Sequence, residues 1–138
     1  MRDTAYIALG SNMGDRHAEL SRAREALADL PDTRVVAESA VEETEPLGPV
    51  PQGPFLNQMI AIETALAPRD LLARLKAIEE SAGRVRSERW GPRVIDLDIV
   101  CYEQQTAAET DLRIPHPELP NRDFWQRELH ELRGRPWA

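Results

Sequence analysis

The amino-acid sequence predicts an α+β fold, in which helices pack on a mainly antiparallel sheet. Three observations predict it: stretches with the alternation of strands, stretches with the apolar spacing of helices, and Gly- or Pro-containing turns that separate the two kinds. At 138 residues the chain has the usual length of one domain. We therefore expect residues 1–138 to form a single domain.

The beginning of the chain predicts a strand, a helix and a second strand. Thr4 to Leu9 form an apolar run that ends at the turn-forming Gly10-Ser11-Asn12. A helix is expected from the N-cap residue Asp15 and has to end before Pro31. Its apolar face consists of Leu20, Ala23, Leu27 and Leu30. Alternation predicts the second strand at Val35, Ala37, Ser39 and Val41.

A Pro- and Gly-rich segment, EPLGPVPQGP at residues 45–54, predicts a loop rather than a helix or a strand. Its length exceeds that of most connections, which suggests a functional loop. The strand pattern returns from Phe55 to Thr64. One side of this third strand carries Leu56, Ile60 and Ile62, and the other carries Phe55, Asn57 and Met59.

A second helix is expected to open at Pro68 and to close at Gly83. Its buried stripe consists of Leu71, Leu72, Leu75 and Ile78. A fourth strand runs from Val94 to Tyr102. It places Ile95, Leu97 and Ile99 on one face, and Asp96 and Asp98 on the other.

After the loop-forming Pro115, Pro117 and Pro120, a short helix is expected near Asp123 to Leu132. The order of strand, helix, strand, strand, helix and strand is that of the ferredoxin-like sandwich. In this architecture the helices cover one face of a mainly antiparallel sheet. The sequence therefore predicts a ferredoxin-like sandwich.

The charge is unevenly distributed along the chain. Seventeen Lys and Arg against 24 Asp and Glu give 17 − 24 = −7, which argues against nucleic acid as a partner. The segment from Gly83 to Arg93 is an exception, because Glu88 is its only acid and its cations are Arg84, Arg86, Arg89 and Arg93. A local cationic segment of this kind suits a small polyanion.

Cysteine usage and hydropathy predict a cytoplasmic protein. Cys101 is the only cysteine, so no internal disulfide can form, which suits a reducing compartment. No apolar stretch has the length of a signal peptide or of a membrane span. We expect a soluble monomer without a membrane partner.

The sharpest local feature is RWGPRVIDLDIV, residues 89–100. The period of a strand places Asp96 and Asp98 on one face, where their carboxylates repel each other unless a cation lies between them. Carboxylate oxygens suit Mg²⁺, which takes one or two of them and completes its shell with water and phosphates. For an isolated D-x-D the alternative of a solvated strand face would be preferred.

The context of the aspartate pair favours a site. Arginine presents a planar fork of donors to phosphate oxygens, so Arg84, Arg86 and Arg93 beside a carboxylate pair suggest a nucleoside triphosphate. Each arginine alone would fit a solvated loop. Cations and paired acids within one segment favour the binding site.

Four motifs resemble one enzyme family in order and in spacing. They are YIALGSNMGDR, ETEPLGP followed by Q-x-x-FLN, IEESAGRVRSERWGPRVIDLDIV, and IPHPELPNRDF. Together they are similar to the hydroxymethyldihydropterin pyrophosphokinases, from about Tyr6 to Phe124. The GPR-x-x-DLDI element is the most specific of the matching motifs.

The resemblance implies a ferredoxin-like fold and a reaction of folate biosynthesis. ATP would donate its β,γ-diphosphate, with two Mg²⁺ ions, to the hydroxymethyl oxygen of 6-hydroxymethyl-7,8-dihydropterin, and AMP would be released. As metal ligands the resemblance implies Asp96 and Asp98. As catalytic residues it implies these two and Arg84, Arg86 and Arg93.

The resemblance also assigns two sets of binding residues. The ATP set consists of Glu79, Arg84, Arg86, Trp90, Arg93, His116 and Arg122, although the helical pattern alone puts Glu79 on an exposed face. The pterin set consists of Thr44, Leu47, Phe55, Asn57, Trp90, Asp96 and Phe124, with Trp90 on a loop that closes over the substrates. Phe55 and Asn57 share a strand face, so one can stack on a flat heterocycle while the other bonds its edge.

Two departures from the family pattern are expected to affect the tail and pterin affinity. Glu42 replaces an aromatic residue before the Thr-x-Pro loop, with Glu45 as a further acid, and FWQRELHELRGRPWA replaces a more apolar stretch.

A ferredoxin-like binding module, a paralogue without catalysis, and a two-metal phosphohydrolase are the competing interpretations. A sensor needs no aspartate pair, RNA binding needs exposed aromatics on a basic face, and a phosphohydrolase needs no pterin pocket.

Overall fold

A computed structural model of the protein describes residues 2–46, 52–82 and 94–134. The described part forms a mixed α/β structure with a mainly antiparallel sheet. Its strands are β1 (Asp3–Ser11), β2 (Thr33–Glu38), β3 (Glu42–Thr44), β4 (Phe55–Thr64), β5 (Asp96–Tyr102), β6 (Ala107–Glu109) and β7 (Leu112–Ile114). Its α-helices are α1 (Arg16–Ala28), α2 (Pro68–Ser81) and α3 (Asp123–Arg133), with a 3₁₀ turn at Leu119–Asn121.

The main sheet has the strand order β2-β4-β1-β5, and β3 also pairs with β4. The pairings of β1 with β4 and β5, and of β2 and β3 with β4, are antiparallel. The strands β6 and β7 form a separate two-stranded sheet. This hairpin was not predicted, because its three-residue strands are too short to show an alternation.

The predicted second strand is interrupted in the structure. β2 ends at Glu38 and β3 begins at Glu42. Between them, Ser39 bonds to β4 through its side chain, since its hydroxyl accepts a hydrogen bond of 2.8 Å from the Met59 amide. A register shift between Val35 and Ala37 precedes the break. The prediction of one continuous strand was therefore wrong.

One face of the sheet is covered by α1 and α2. Asp15 caps α1 as predicted, since its side chain accepts from the Ala18 amide at 3.1 Å, and Pro68 is the first residue of α2. The core on this face joins both helices to the central strands. It includes Leu20 and Leu27 of α1, Leu71 and Leu75 of α2, and Ile7, Ile60, Ile62, Leu97 and Ile99 of the sheet.

The opposite face is covered by α3, where the sequence predicted helices on one face only. Trp125 and Leu129 of α3 are buried against Met59, Ala61 and Cys101 of the sheet. The second apolar face of the sheet demands this cover, because exposed apolar surface is unfavourable in water. None of the described helices is long and apolar enough to span a membrane.

Candidate functional site

A row of residues crosses the sheet on the face that α3 covers. In register, Glu42 of β3 lies opposite Asn57 of β4, Asn57 opposite Gly10 of β1, and Gly10 opposite Asp96 of β5. Residues directly opposite each other share a face. Because Gly10 has no side chain, side chains of β4 can approach β1 closely at this point of the row.

Gly10 was predicted as a turn residue, and the structure places it inside β1. A Cβ atom at Gly10 would lie 3.3 Å from Asn57 Oδ1 and 3.4 Å from Phe55 Cδ1. The space that a side chain at Gly10 would take is therefore occupied by neighbouring side chains of β4. No local pattern in the sequence could distinguish this glycine from one that turns the chain.

Asp96 and Asp98 lie at the start of β5, as predicted, with partly exposed side chains. The strand holds them on one face, since Asp96 lies opposite Gly10 and Asp98 lies opposite Ala8. Two carboxylates on one strand face fit Mg²⁺, which keeps water and phosphate in its shell.

The described residues contain no group of three or more His, Cys, Asp and Glu side chains arranged to hold a metal ion. A protein-only metal cage is therefore absent from this part of the chain. The paired aspartates suit an ion that arrives together with a phosphate.

Glu79 is buried, which corrects the expectation of an exposed helix face. Its side chain is 6% exposed, and its Oε2 accepts a 2.8 Å hydrogen bond from the Leu97 amide. β5 is the outer strand in the path β2-β4-β1-β5, so alternate amides of β5 point away from the sheet. Glu79 fixes the backbone between the two aspartates.

His116 lies beside Asp98. Its Nε2 is 3.7 Å from Asp98 Oδ1, and its Nδ1 accepts a 3.0 Å hydrogen bond from the Glu118 amide. Burial lowers the pKa of His116 below the ordinary value of a histidine, and the charge of Arg122 lowers it further. The imidazole is thus neutral at pH 7, and its proton is on Nε2, which faces Asp98.

A cavity of about 320 Å³ opens next to Asp98 and His116. Its walls come from β5, from the β6–β7 hairpin and from α2. The lining residues include Leu72, Asp98, Ile99, Thr110, Leu112 and His116. The cavity combines apolar walls with polar groups, among them Asp98 and His116, as small-molecule sites commonly do.

Arg122 lies directly before α3, near His116. Its guanidinium carbon is 4.3 Å from the centroid of the Trp125 ring, and this ring also packs edge-on against His116 at 4.9 Å. Within the described ranges Arg122 Nε is buried without a hydrogen-bond partner. A buried donor without a partner is costly, so this group is suited to an incoming anion.

The predicted pterin residues Thr44, Phe55 and Asn57 come together where β3 pairs with β4. Asn57 is 7% exposed, and its Nδ2 donates a short hydrogen bond to Thr44 Oγ1. Phe55 lies opposite Thr44 in the register and is half-buried. The expectation that a buried Asn57 needs a partner is confirmed.

Phe124 is half-buried at the start of α3, and its ring centroid is 6.3 Å from that of Trp125. It packs on the α3 face of the sheet together with Met59 and Ala61. The structure thus places Phe124 on the sheet face that also carries Asn57.

Two site residues were not predicted. Asn12 donates to Gln52 Oε1 at 2.7 Å and to the Gly53 carbonyl at 3.1 Å, and Arg16 donates to the Pro54 carbonyl at 3.0 Å. They fasten the end of the Pro-rich loop to the β1–α1 corner. The GSN motif was the available signal for Asn12, but its partners are distant in sequence.

Leu47, Arg84, Arg86, Trp90 and Arg93 lie outside the described residues. The same is true of the predicted close of α2 at Gly83. The predicted roles of these residues stay predictions.

Paired carboxylates, a neutral histidine and a buried amide together form a candidate small-molecule site in an α+β protein. Comparison with known proteins then gives the family. The model of 7,8-dihydro-6-hydroxymethylpterin-pyrophosphokinase (HPPK) matches residues 6–134. The chain belongs to this family, which confirms the resemblance noted in its motifs.

Curated relatives agree with the family model. The 2-amino-4-hydroxy-6-hydroxymethyldihydropteridine pyrophosphokinase of Methylorubrum extorquens is 48% identical over 128 residues, 93% of this chain and 81% of the relative. The enzyme of the same name from Pseudomonas aeruginosa is 44% identical over 132 residues, 96% of this chain and 82% of the relative. The one from Bacillus subtilis is 40% identical over 132 residues, 96% of this chain and 79% of the relative.

Proposed function

We propose that this protein transfers the β,γ-diphosphate of ATP to the hydroxymethyl group of 6-hydroxymethyl-7,8-dihydropterin, with release of AMP. This is a step of folate biosynthesis. The observation that carries the proposal is a family match over residues 6–134 in a chain that retains the aspartate pair on β5. Relatives named as pyrophosphokinases of this pterin are 38–48% identical to the chain.

Asp96 and Asp98 are the proposed metal ligands, and two Mg²⁺ ions are the proposed number. When bound, magnesium would neutralise phosphate charge and align the triphosphate. The partial exposure of both aspartate side chains supports this assignment, because phosphate oxygens have to reach the same ions. Glu79 supports it too, since its bond to Leu97 fixes the strand that carries both aspartates.

The nucleotide is proposed to lie on the side of His116 and Arg122. The cavity between β5 and the β6–β7 hairpin supports this placement, since it opens beside Asp98. Arg122 supplies a cation whose Nε has no partner within the described part of the chain. Glu79 as a direct ATP contact stays a prediction, as do the roles of Arg84, Arg86, Trp90 and Arg93.

The pterin is proposed to lie near Asn57, Thr44, Phe55 and Phe124, with Asp96 at the reacting end. Asn57 Oδ1 lies over Gly10, on the way from the pocket to Asp96. A pterin bound along this row would direct its hydroxymethyl group toward the aspartates. Leu47 and Trp90 stay predicted members of this pocket.

The strand order supports the finer fold assignment. We count β2 and β3 together as the second of four predicted strands, so that β4 is the third and β5 the fourth. The path β2-β4-β1-β5 then runs from the second strand to the third, the first and the fourth. We propose on this basis that the fold is a ferredoxin-like sandwich with α3 added on the opposite face. A monomeric, cytoplasmic enzyme without a nucleic acid partner remains our expectation.

The reaction is tested by chromatography of the nucleotide products. Incubation of the protein with ATP and Mg²⁺ should consume ATP only when the hydroxymethyl pterin is present, and should yield AMP. Formation of ADP and a monophosphorylated pterin would refute the proposal. ATP hydrolysis without pterin would instead favour a phosphohydrolase.

A further inference from the structure

Glu128 of α3 is a buried acid. It is 1% exposed, and both of its carboxyl oxygens are buried without a hydrogen-bond partner in the described residues. An ionised carboxylate in such a place is expensive, so the neutral acid is favoured. Burial, followed by the charge of Glu42, raises the pKa of Glu128 to about 8.

The charged neighbours of Glu128 do not compensate a negative charge. Arg127 donates to Glu42 Oε1 at 2.6 Å, and Glu131 accepts from the Ala40 amide at 3.0 Å. These contacts, together with Glu128, form what we call the α3–β3 seam, which consists of Ala40, Glu42, Arg127, Glu128 and Glu131. Arg127, the cation that acts on Glu128, is thus already paired with another carboxylate.

The other strands that α3 covers bring two more titratable groups, Tyr6 of β1 and Cys101 of β5. Burial raises the pKa of each to about 12. Both groups therefore stay neutral across the range in which Glu128 titrates. Glu103 is occupied by Arg133, since Arg133 Nε donates to its Oε1 at 3.1 Å.

The α3–β3 seam joins the two walls of the proposed pterin pocket. Phe124 lies four residues before Glu128, so both side chains occupy the same side of α3. Across the seam, Glu42 lies opposite Asn57 in the register, and Asn57 bonds to Thr44 of the same short strand. A displacement of α3 from β3 would therefore separate Phe124 from Asn57 and Thr44.

We propose that Glu128 is a positioning residue for the pterin pocket, and that its neutral carboxyl is required to keep α3 and Phe124 seated against β3. This proposal rests on the assignment of Phe124, Asn57 and Thr44 to that pocket. Ionisation of Glu128 would place an uncompensated charge beside Glu42 and Glu131. The charge drives α3 away from the seam, and pterin affinity falls while the nucleotide side is unaffected.

Calorimetric titration tests the proposal with the full chain, a pterin analogue and, separately, an ATP analogue. If only the protonated form binds, the dissociation constant of the wild type for the pterin analogue should rise about tenfold from about pH 7 to about pH 9. The Glu128→Gln variant should lack this rise, because glutamine has the shape of the neutral acid and cannot ionise. Ionisation of the pterin analogue itself affects both proteins equally, so it cancels in the ratio of their dissociation constants.

Glu25→Gln, at an exposed position of α1, is the matched control because it removes the same carboxylate charge. Its pterin affinity should have the same pH dependence as that of the wild type. Parallel pH profiles of the wild type and Glu128→Gln would overturn the inference, and so would an equal loss of ATP affinity. If the wild type binds no pterin at pH 7, the proposed function fails instead.

A measurement on the wild type alone covers the case in which Glu128→Gln does not fold. Amide hydrogen exchange, corrected for its intrinsic pH dependence, should show α3 opening more often above about pH 8 while α1 stays unchanged. An α3 that is protected equally on both sides of this pH would also overturn the inference.

Discussion

Glu79 and Glu128 are both glutamates buried between a helix and the sheet, yet they have opposite surroundings. Glu79 of α2 reaches the outer edge of β5 and accepts from the Leu97 amide at 2.8 Å. Glu128 of α3 lies over the face of the sheet, and its carboxyl has no partner within the described ranges.

The difference follows from sheet geometry. An edge strand presents free amides, whereas amides beneath a sheet face are already used by the ladder. A buried acid at the edge can therefore hold the backbone, and a buried acid over the face has to remain protonated. The first arrangement anchors β5 to α2, and the second makes the α3–β3 seam sensitive to pH.

The largest expected effect concerns the aspartates of the α2–β5 region. Asp96→Asn and Asp98→Asn should each abolish turnover while the fold survives, because removing mutual repulsion does not destabilise the strand. Steady-state kinetics and circular dichroism measure the two quantities. The exposed Asp29→Asn is the matched control, and normal Mg²⁺-dependent turnover in both site variants would contradict the assignment.

The next effect tests the anchor of β5. Glu79→Ala leaves the Leu97 amide unpaired, so the free energy of unfolding should fall by about 1–3 kcal/mol. Turnover should fall by about tenfold or more, since small displacements of catalytic groups are expensive. Glu79→Gln keeps an acceptor oxygen, so it should retain most of the stability and most of the turnover. The exposed neighbour Glu80→Ala serves as control, and equal behaviour of the two alanine variants would show that the anchor is dispensable.

The third prediction concerns stability at the α3–β3 seam. The pKa of Glu128 is about 8 in the folded state, whereas its ordinary value is 4.5. Between these two pH values the folded state binds a proton at Glu128 that the unfolded state has released. The stability of the wild type relative to Glu128→Gln should therefore fall as pH rises through this window, by up to about 1.4 kcal/mol per unit, and be constant outside it. Urea denaturation at several pH values measures this difference, and a difference independent of pH would contradict it.

The fourth prediction separates pterin from nucleotide binding. Asn57→Ala and Phe124→Ala should each weaken pterin binding about tenfold, because a buried amide bond or a stacked ring contributes on the order of 1 kcal/mol or more. ATP affinity should be nearly unchanged. Calorimetric titration with each ligand analogue distinguishes the cases, and equal losses for both ligands would make these residues scaffold.

The smallest effect is expected at Gly10. Its new Cβ in Gly10→Ala would be 3.3 Å from Asn57 Oδ1, so the amide has to move slightly and pterin affinity should fall by about threefold to tenfold. Gly53→Ala is the matched control, since its Cβ would meet no atom within 4 Å. Pterin titration of both variants is sufficient, and an unchanged affinity in Gly10→Ala would show that the close approach of Asn57 to Gly10 does not matter for pterin binding.

Much of the fold could be predicted because secondary structure leaves a local pattern. The alternation from Phe55 to Thr64 gave both faces of β4, and Asp15 and Pro68 gave the starts of two helices. The aspartate pair could also be predicted, since the period of two alone places Asp96 and Asp98 on one face.

The sequence by itself thus determined the order of the three α-helices and the longer strands, the carboxylate pair and, through its motifs, the family. Only the tertiary structure decided that Glu79 is buried at the edge of β5, that Gly10 lies within a strand, and that Glu42 meets Arg127 of α3. The last contact links the two departures from the family pattern. Such contacts join residues far apart in the chain, and their geometry depends on how helices pack on the sheet rather than on any local periodicity.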